Sequence, residues 1–408
     1  MKASQETSLV LYFQVHQPYR LQPFSYFDIG QKGAPDYFDE EENKRILQRV
    51  AEKCYLPTTA ILQRLCEEHE GRFRCAFSIS GTALSQFESW SPETLQAFRA
   101  LAATGCVEFL TETSHHSLTV LENEGEFLAQ VAGHSERIER LFGQRPTSFR
   151  NTELITSNRI AQLAEEAGYS AILMEGADQL LEGRSAHRVY SPVGTGKIRA
   201  LLRSYRLSDD IAFRFSDRNW PDWPLSTERF ASWLDALPGE DECVGLFMDF
   251  ETFGEHQWEE TGILRFLAEL PAAALASGRF RFRTPAQVVE KHKPGPELNI
   301  PSPVSWADAE RDLTAWLDNS MQQAAHSTLF ELLKLVELNG ASGEAQFLET
   351  WRRLSTSDHF YYMCTKFFSD GDVHKYFSPF ATPHDAYITW MNVAQDFRRR
   401  LTAAPLPV

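Results

Sequence analysis

The sequence lacks most of the features that identify a common function at a glance. No run of about 18 consecutive apolar residues is present, so a membrane-spanning helix is not expected. Lys and Arg nowhere form more than a short block, and 40 basic against 56 acidic side chains leave a formal charge of −16. That surplus argues against a nucleic-acid partner and is indifferent to a neutral, polyhydroxylated one. The six cysteines, Cys54, Cys66, Cys75, Cys106, Cys243 and Cys364, contain no C-x-x-C pair and read as buried free thiols in a reducing compartment. The first apolar run is short, interrupted by Gln14 and His16, and lacks a small-residue cleavage site. A cytoplasmic location is therefore the expectation. Absent too are a G-x-G-x-x-G loop, a Walker lysine, a G-x-S-x-G elbow and the H-E-x-x-H spacing of a zinc protease. No repeat or low-complexity tract stands out.

What the 408 residues do have is material for a large core, with 43% hydrophobic and 12% aromatic residues. Length suits two or three domains, or one barrel with an appendage. Short apolar stretches at 8–16, 73–80, 106–110, 147–151, 170–174, 198–205 and 243–250 read as strands, and 281–290 reads as a last short strand and helix. Amphipathic stretches at 44–69, 92–103, 122–141, 157–167, 226–236 and 258–276 read as the helices between them. Their spacing suits parallel pairing, in an open doubly wound sheet or a closed barrel. Polar residues follow nearly every strand, among them His16, Ser78, Glu112, Asn151, Glu175 and Asp249. Such residues converge only around a closed ring. The Pro-rich stretch 291–303 marks a boundary, which we place so that a barrel occupies 1–295 and a helical domain 296–408. Long helices are expected over 306–339 and 344–368, packed on the barrel and contributing to its mouth.

Two carboxylates carry the chemical argument. Glu153 follows a short apolar run in SFRNTELI, where a barrel presents catalytic groups, and Arg150 and Asn151 are candidates to keep it ionised. Helix capping is the competing explanation. Asp249 emerges from the buried run VGLFMD, where low dielectric and a second carboxylate would raise its pKa as a proton donor requires. Glu251, two residues on, shares its side of the strand and is an alternative donor. Facing each other, such a pair resembles the two carboxylates of glycoside hydrolysis. His16 and Gln17, stopped by Pro18, offer neutral donors and acceptors at the mouth, and of the adjacent His115 and His116 at most one faces a pocket, a place we give to His115. His256 and Trp258 follow Asp249 closely, the one a hydrogen-bond donor to sugar and the other a stacking platform or a core residue. Asp358, between a helix and an aromatic run, is a cap or a pocket wall. His16, Glu112, His115, Asp249 and His256 are also metal-ligand types, which keeps a metal-dependent deacetylase or glycosidase as a rival. A non-catalytic carbohydrate-binding protein is the third class.

Five blocks, HQP at 16–18, FSISGTALSQFE at 77–88, FRNTELI at 149–155, MDFETFGEHQW at 248–258 and LSTSDHFYYM at 354–363, together resemble the family 57 glycoside hydrolases, α-amylase-like enzymes acting on α-glucans. The resemblance implies an α/β fold, a (β/α)7 distorted TIM-like barrel followed by a C-terminal helical region. It implies a retaining mechanism with Glu153 as nucleophile and Asp249, rather than Glu251, as acid/base. It places His16, His256, Trp258 and Asp358 in the cleft. No cofactor or metal is expected. Glu88 lies well beyond its strand and is given no catalytic role. Within the family, α-amylase action is expected, with 4-α-glucanotransferase or branching activity as alternatives on the same site.

Overall fold

The computed structural model describes residues 6–31, 36–338, 344–366 and 378–403. Seven strands run parallel: β1 (Thr7–Val15), β2 (Cys75–Ile79), β3 (Val107–Phe109), β4 (Ser148–Arg150), β5 (Ala171–Glu175), β6 (Arg199–Arg203) and β7 (Cys243–Asp249). Their order in the sheet is β3-β2-β1-β7-β6-β5-β4. Thr111, just past β3, bonds back to β4, its amide donating to Ser148 O at 3.1 Å and its carbonyl accepting from Arg150 N at 2.9 Å. That single bridge brings the two edges together into a nearly closed barrel. A short eighth strand, β8 (Phe280–Phe282), pairs with Thr7–Leu9 at the start of β1, below the point where β2 joins it.

Parallel strands covered on both faces explain why the predicted stretches read as continuous apolar runs. Along β1, Leu9, Leu11, Phe13 and Val15 face the helical layer, while Val10 and Tyr12 join the barrel interior with Leu110, Leu173, Leu201 and Phe247. Fully burying side chains of this size contributes about 1.5–3 kcal/mol each. Where β6 meets β7 the backbones come so close that a Cβ on Gly245 would lie 2.4 Å from Leu202 O, which only glycine permits.

Helices cover the outside. The stretch expected as one helix over 44–69 is Glu40–Val50, started by Asp39 accepting from Glu42 N, then a π-helical turn Ala51–Tyr55, then Leu56–Glu68. The expected helix 92–103 is found as Pro92–Ala103. Helices Gly81–Trp90 and Tyr205–Ala212 escaped prediction because each starts with only one residue between it and its strand, inside or beside a segment assigned to the sheet. Beyond the barrel, helices Ser320–Leu338, Glu344–Leu354 and Pro383–Ala403 form the C-terminal helical region around Trp316, Trp351 and Trp390. They share one apolar core with the outer residues Phe149, Ile172, Met174, Ala200 and Leu202 of β4 to β6.

Two expectations for this region are corrected. The helix expected over 306–339 begins with an irregular loop, and its first helical residues are Thr314–Leu317. Asp308 and Arg311 in that loop adopt left-handed backbone conformations, φ 54° and 52°, which end any helix. The helix expected over 344–368 breaks at Ser355 and Thr356, where Thr356 bridges to Ser117, and resumes as Ser357–Tyr361. Residues 339, 367 and 368 of these expected helices lie outside the described residues. Among the described residues, no helix is long and apolar enough to cross a membrane.

Candidate active site

At the carboxyl ends of the strands the barrel interior changes from apolar to charged. Above the layer of Tyr12, Leu110, Leu173, Leu201 and Phe247, the period-two alternation of each strand turns Gln14, Arg150, Glu175, Arg203 and Asp249 inward. A cleft of about 1410 Å³, mouth included, opens over this layer. Its walls include Glu153, Asp249, Glu251, His16, His116 and Asp358.

Glu153 sits in a one-turn helix, Thr152–Leu154, directly after β4. Its backbone is left-handed, φ 56° and ψ 25°, and Leu154 follows at φ 53°. A non-glycine residue held there costs about 1–3 kcal/mol, a strain that clusters at functional positions. Asn151 does not touch the carboxylate. Its amide donates to Ile155 O at 2.9 Å and braces the turn. Glu153 Oε1 accepts from His116 Nε2 and from Ser357 Oγ, both at 3.3 Å, and Oε2 accepts from Trp306 Nε1 at 2.7 Å. Burial works to raise its pKa. The hydrogen bond and charge of His116, the Arg150 guanidinium and the Trp306 N–H outweigh that and hold it below the ordinary value.

Asp249, the last residue of β7, is shifted the other way. Burial raises it and the neighbouring Glu153 charge adds to the effect, while Arg150, His116 and Arg203 pull only partly against them, leaving it pushed up to about 6. Glu251 is pushed higher, to about 8, by burial and by Asp249, and it accepts a hydrogen bond from the Tyr55 hydroxyl. The π turn at Ala51–Tyr55 delivers that tyrosine, and Cys54 beside it donates to Phe250 O at 3.2 Å.

The remaining predicted residues divide. His16 joins the cleft, its Nε2 donating to Asp358 Oδ2 at 2.8 Å and its Nδ1 accepting from Ser80 Oγ at 2.8 Å. Burial and the adjacent His116 charge keep the His16 ring below its usual pKa. Burial would raise Asp358, but its bond to His16 and the His116 charge hold it well below the carboxylate range. Gln17 lines the cleft and donates to Tyr55 Oη at 3.1 Å; His256 lines it too, pushed down to about 4 by burial.

Two assignments do not hold geometrically. His115 turns away to Glu349, at 3.2 Å, and His116 stands in the cleft instead, because its left-handed backbone, φ 50°, swings the second ring inward. Trp258 lies outside the cleft wall and is 56% exposed, with the Lys53 ammonium 5.8 Å from its ring. Glu88 forms a surface ion pair with Arg137 at 2.6 Å.

Trp306 is the principal residue that sequence reasoning missed, since WADAERD reads as the start of an amphipathic helix. Its loop is latched to the barrel by Arg311, which pairs with Glu175 at 3.0 Å, lies 4.2 Å over the Tyr205 ring, and donates to Trp306 O at 3.3 Å. Arg203 was missed as well, although alternation carried a signal for it, since a cation two residues past Leu201 on a buried strand faces the rim. It meets Glu175 at 3.2 Å and Asp209 at 2.5 Å. Among the described residues, no three His, Cys, Asp or Glu side chains are grouped to hold a metal ion.

Residues 10–301 match the profile of Glycosyl hydrolase family 57. A Methanocaldococcus jannaschii protein bearing the name "Putative alpha-amylase" is 40% identical over 397 residues, covering 94% of this chain and 83% of its own length. Among solved structures, a GH57-type branching enzyme from Pyrococcus horikoshii superposes with a TM-score of 0.69 at 16% identity, over 98% of this chain and 92% of its own. A 4-alpha-glucanotransferase from Thermococcus litoralis gives 0.59 at 18% identity over 88% of this chain, which spans only 50% of that longer protein. At these identities the two structures show a shared fold.

Proposed function

The chain belongs to glycosyl hydrolase family 57, and from that premise we propose that it is a retaining, α-amylase-like enzyme that cleaves α-glucosidic linkages in α-glucans or maltooligosaccharides. The observation that carries the reading is the pair Glu153 and Asp249, which line one cleft and whose pKa values are pushed by their surroundings in opposite directions. That division is what double displacement at a sugar carbon needs.

In the first step the Asp249 carboxyl protonates the glycosidic oxygen while Glu153 attacks the anomeric carbon, and the leaving sugar departs with the proton. In the second, Asp249 takes a proton from water, whose oxygen displaces Glu153 with a second inversion. His16, Gln17, His256 and Asp358 supply neutral and anionic partners for sugar hydroxyls. The barrel over 1–295 and the helical region over 296–408 act together in this proposal, because Trp306, Ser357 and Asp358 reach the site from the second.

The experiment is product analysis by proton NMR and chromatography on maltooligosaccharides, branched glucans and α-galactosides. Expected are shorter maltooligosaccharides released first as the α-anomer, with activity persisting after exhaustive chelation. Release of the β-anomer would contradict retention. Products longer than the substrate, or new branch points, would assign transfer instead of hydrolysis.

A further inference from the structure

Behind the nucleophile lies a pair of charged side chains almost wholly shielded from solvent, His116 in the cleft wall and Glu112 beneath it. Glu112 is fully buried and the His116 side chain is 2% exposed. His116 Nδ1 meets Glu112 Oε2 at 2.8 Å and its Nε2 meets Glu153 Oε1 at 3.3 Å, so one ring joins two carboxylates in line. Glu112 is itself fixed, its Oε1 accepting from Gln14 Nε2 at 2.9 Å and its Oε2 lying 3.8 Å from the Arg150 guanidinium. The His116 ring is stacked on His16, with centroids 4.0 Å apart and 19° between planes.

We propose that Glu112 and His116 form a buried charge relay in which His116 remains an imidazolium and acts as a positioning residue, aiming Glu153 and receiving its negative charge each time the glycosyl ester breaks. Three arguments support this. The layer directly beneath is filled by Leu110, Leu173 and Leu201, so apolar packing is available to this barrel, and burying ions in its place is costly unless they serve a purpose. His116 and Glu153 both hold left-handed backbones, and the strain at each is what points its side chain at the other. Both ring nitrogens face carboxylates, so both must carry protons.

The groups facing the ring come from every side: Glu112 on its own loop, Arg150 from β4 and Glu153 from the turn after it, His16 after β1, Asp249 at the end of β7, and Asp358 from the helical region. Burial opposes the imidazolium, but hydrogen bonds to the two carboxylates prevail and hold it up to about 9. In the glycosyl-enzyme Glu153 is a neutral ester. When the bond from its oxygen to the anomeric carbon breaks, the electron pair returns to the carboxylate, which the His116 and Trp306 N–H groups receive. No proton leaves His116, because Glu112 holds it.

This inference rests on Glu153 being the nucleophile, and the test separates the two. In Glu112→Gln the new amide can donate to His116 Nδ1 and still accept from Gln14, so the ring becomes neutral while its Nε2–H stays on Glu153. The expected result is an acid limb of kcat/KM shifted upward by about one pH unit, and kcat and KM lowered together by about tenfold, so that kcat/KM on its plateau changes by less than about twofold. A burst of leaving group from an activated aryl glycoside should accompany it, since deglycosylation is the slowed step. Superimposable pH profiles with no burst would overturn the relay. Independently of any variant, nitrogen-15 NMR of wild-type protein should show His116 protonated at both nitrogens at pH 7.5, and a singly protonated ring would overturn the relay too. Mass spectrometry of the trapped glycosyl-enzyme reports on the nucleophile alone: a label on another residue defeats the reading of Glu153, whereas a label on Glu153 with an unmoved acid limb defeats only the relay.

Discussion

At the residue scale, two carboxylates of ordinary chemistry are separated by what surrounds them. Glu153 is held down by hydrogen-bond donors and cations, and Asp249 is pushed up by burial and by Glu153 itself. The signs give a direct prediction. Removing the Glu153 charge in Glu153→Gln makes ionisation of Asp249 easier, so its pKa falls below about 6, as carbon-13 NMR of labelled aspartate should show. An Asp249 pKa that stays put or rises would mean the two groups do not sense each other. Both Glu153→Gln and Asp249→Asn should fold yet lose about a thousandfold or more in turnover. The positions of these acids were legible in the sequence, because each follows a buried apolar run. The choice between His115 and His116 was not, since alternation allows either and a left-handed φ at His116 decides it.

At the scale of elements, the site depends on a loop whose sequence resembles a helix. Residues 306–311 carry the indole N–H to Glu153, and Arg311 pins them to Glu175. Helical periodicity reads the pattern of side chains but not two left-handed residues, so Asp308 and Arg311 reverse the chain where WADAERD suggests it continues. Strands were the easier part: β1, β2, β5 and β7 are long and apolar, and their inward residues stand out by alternation. Trp306→Phe keeps an aromatic ring in the loop but removes the N–H donor along with the second ring of the indole. Its expected effects are a higher Glu153 pKa, seen as an acid limb moved upward, and a kcat lowered about tenfold with little change in KM. An unchanged kcat would show that the loop does no more than close the cleft wall.

At the scale of the whole molecule, the same buried charges set how stability varies with pH. His116 is raised from 6.5 to about 9, so its contribution is complete below 6.5 and is lost as pH rises through about 9. Glu112 is lowered from 4.5 to about 2, so its contribution is present above 4.5 and is lost as pH falls through about 2. Urea unfolding followed across pH should therefore show a decline on the alkaline side that flattens in His116→Gln; an equal slope in both proteins would contradict the assignment. The barrel and helical region were legible as classes of structure from apolar runs and amphipathic stretches. Their shared core was not, because it depends on which outward residues of β4 to β6 meet Trp316, Trp351 and Trp390.

Comparing azide rescue in two variants tests the division of labour between Glu153 and Asp249 most directly. With an activated α-glucosyl substrate, Glu153→Ala plus azide should yield the β-glucosyl azide by a single inversion, and Asp249→Ala plus azide should yield the α-glucosyl azide from an intact glycosyl-enzyme. The opposite stereochemistry, or rescue of neither variant by azide in folded protein, would contradict the account.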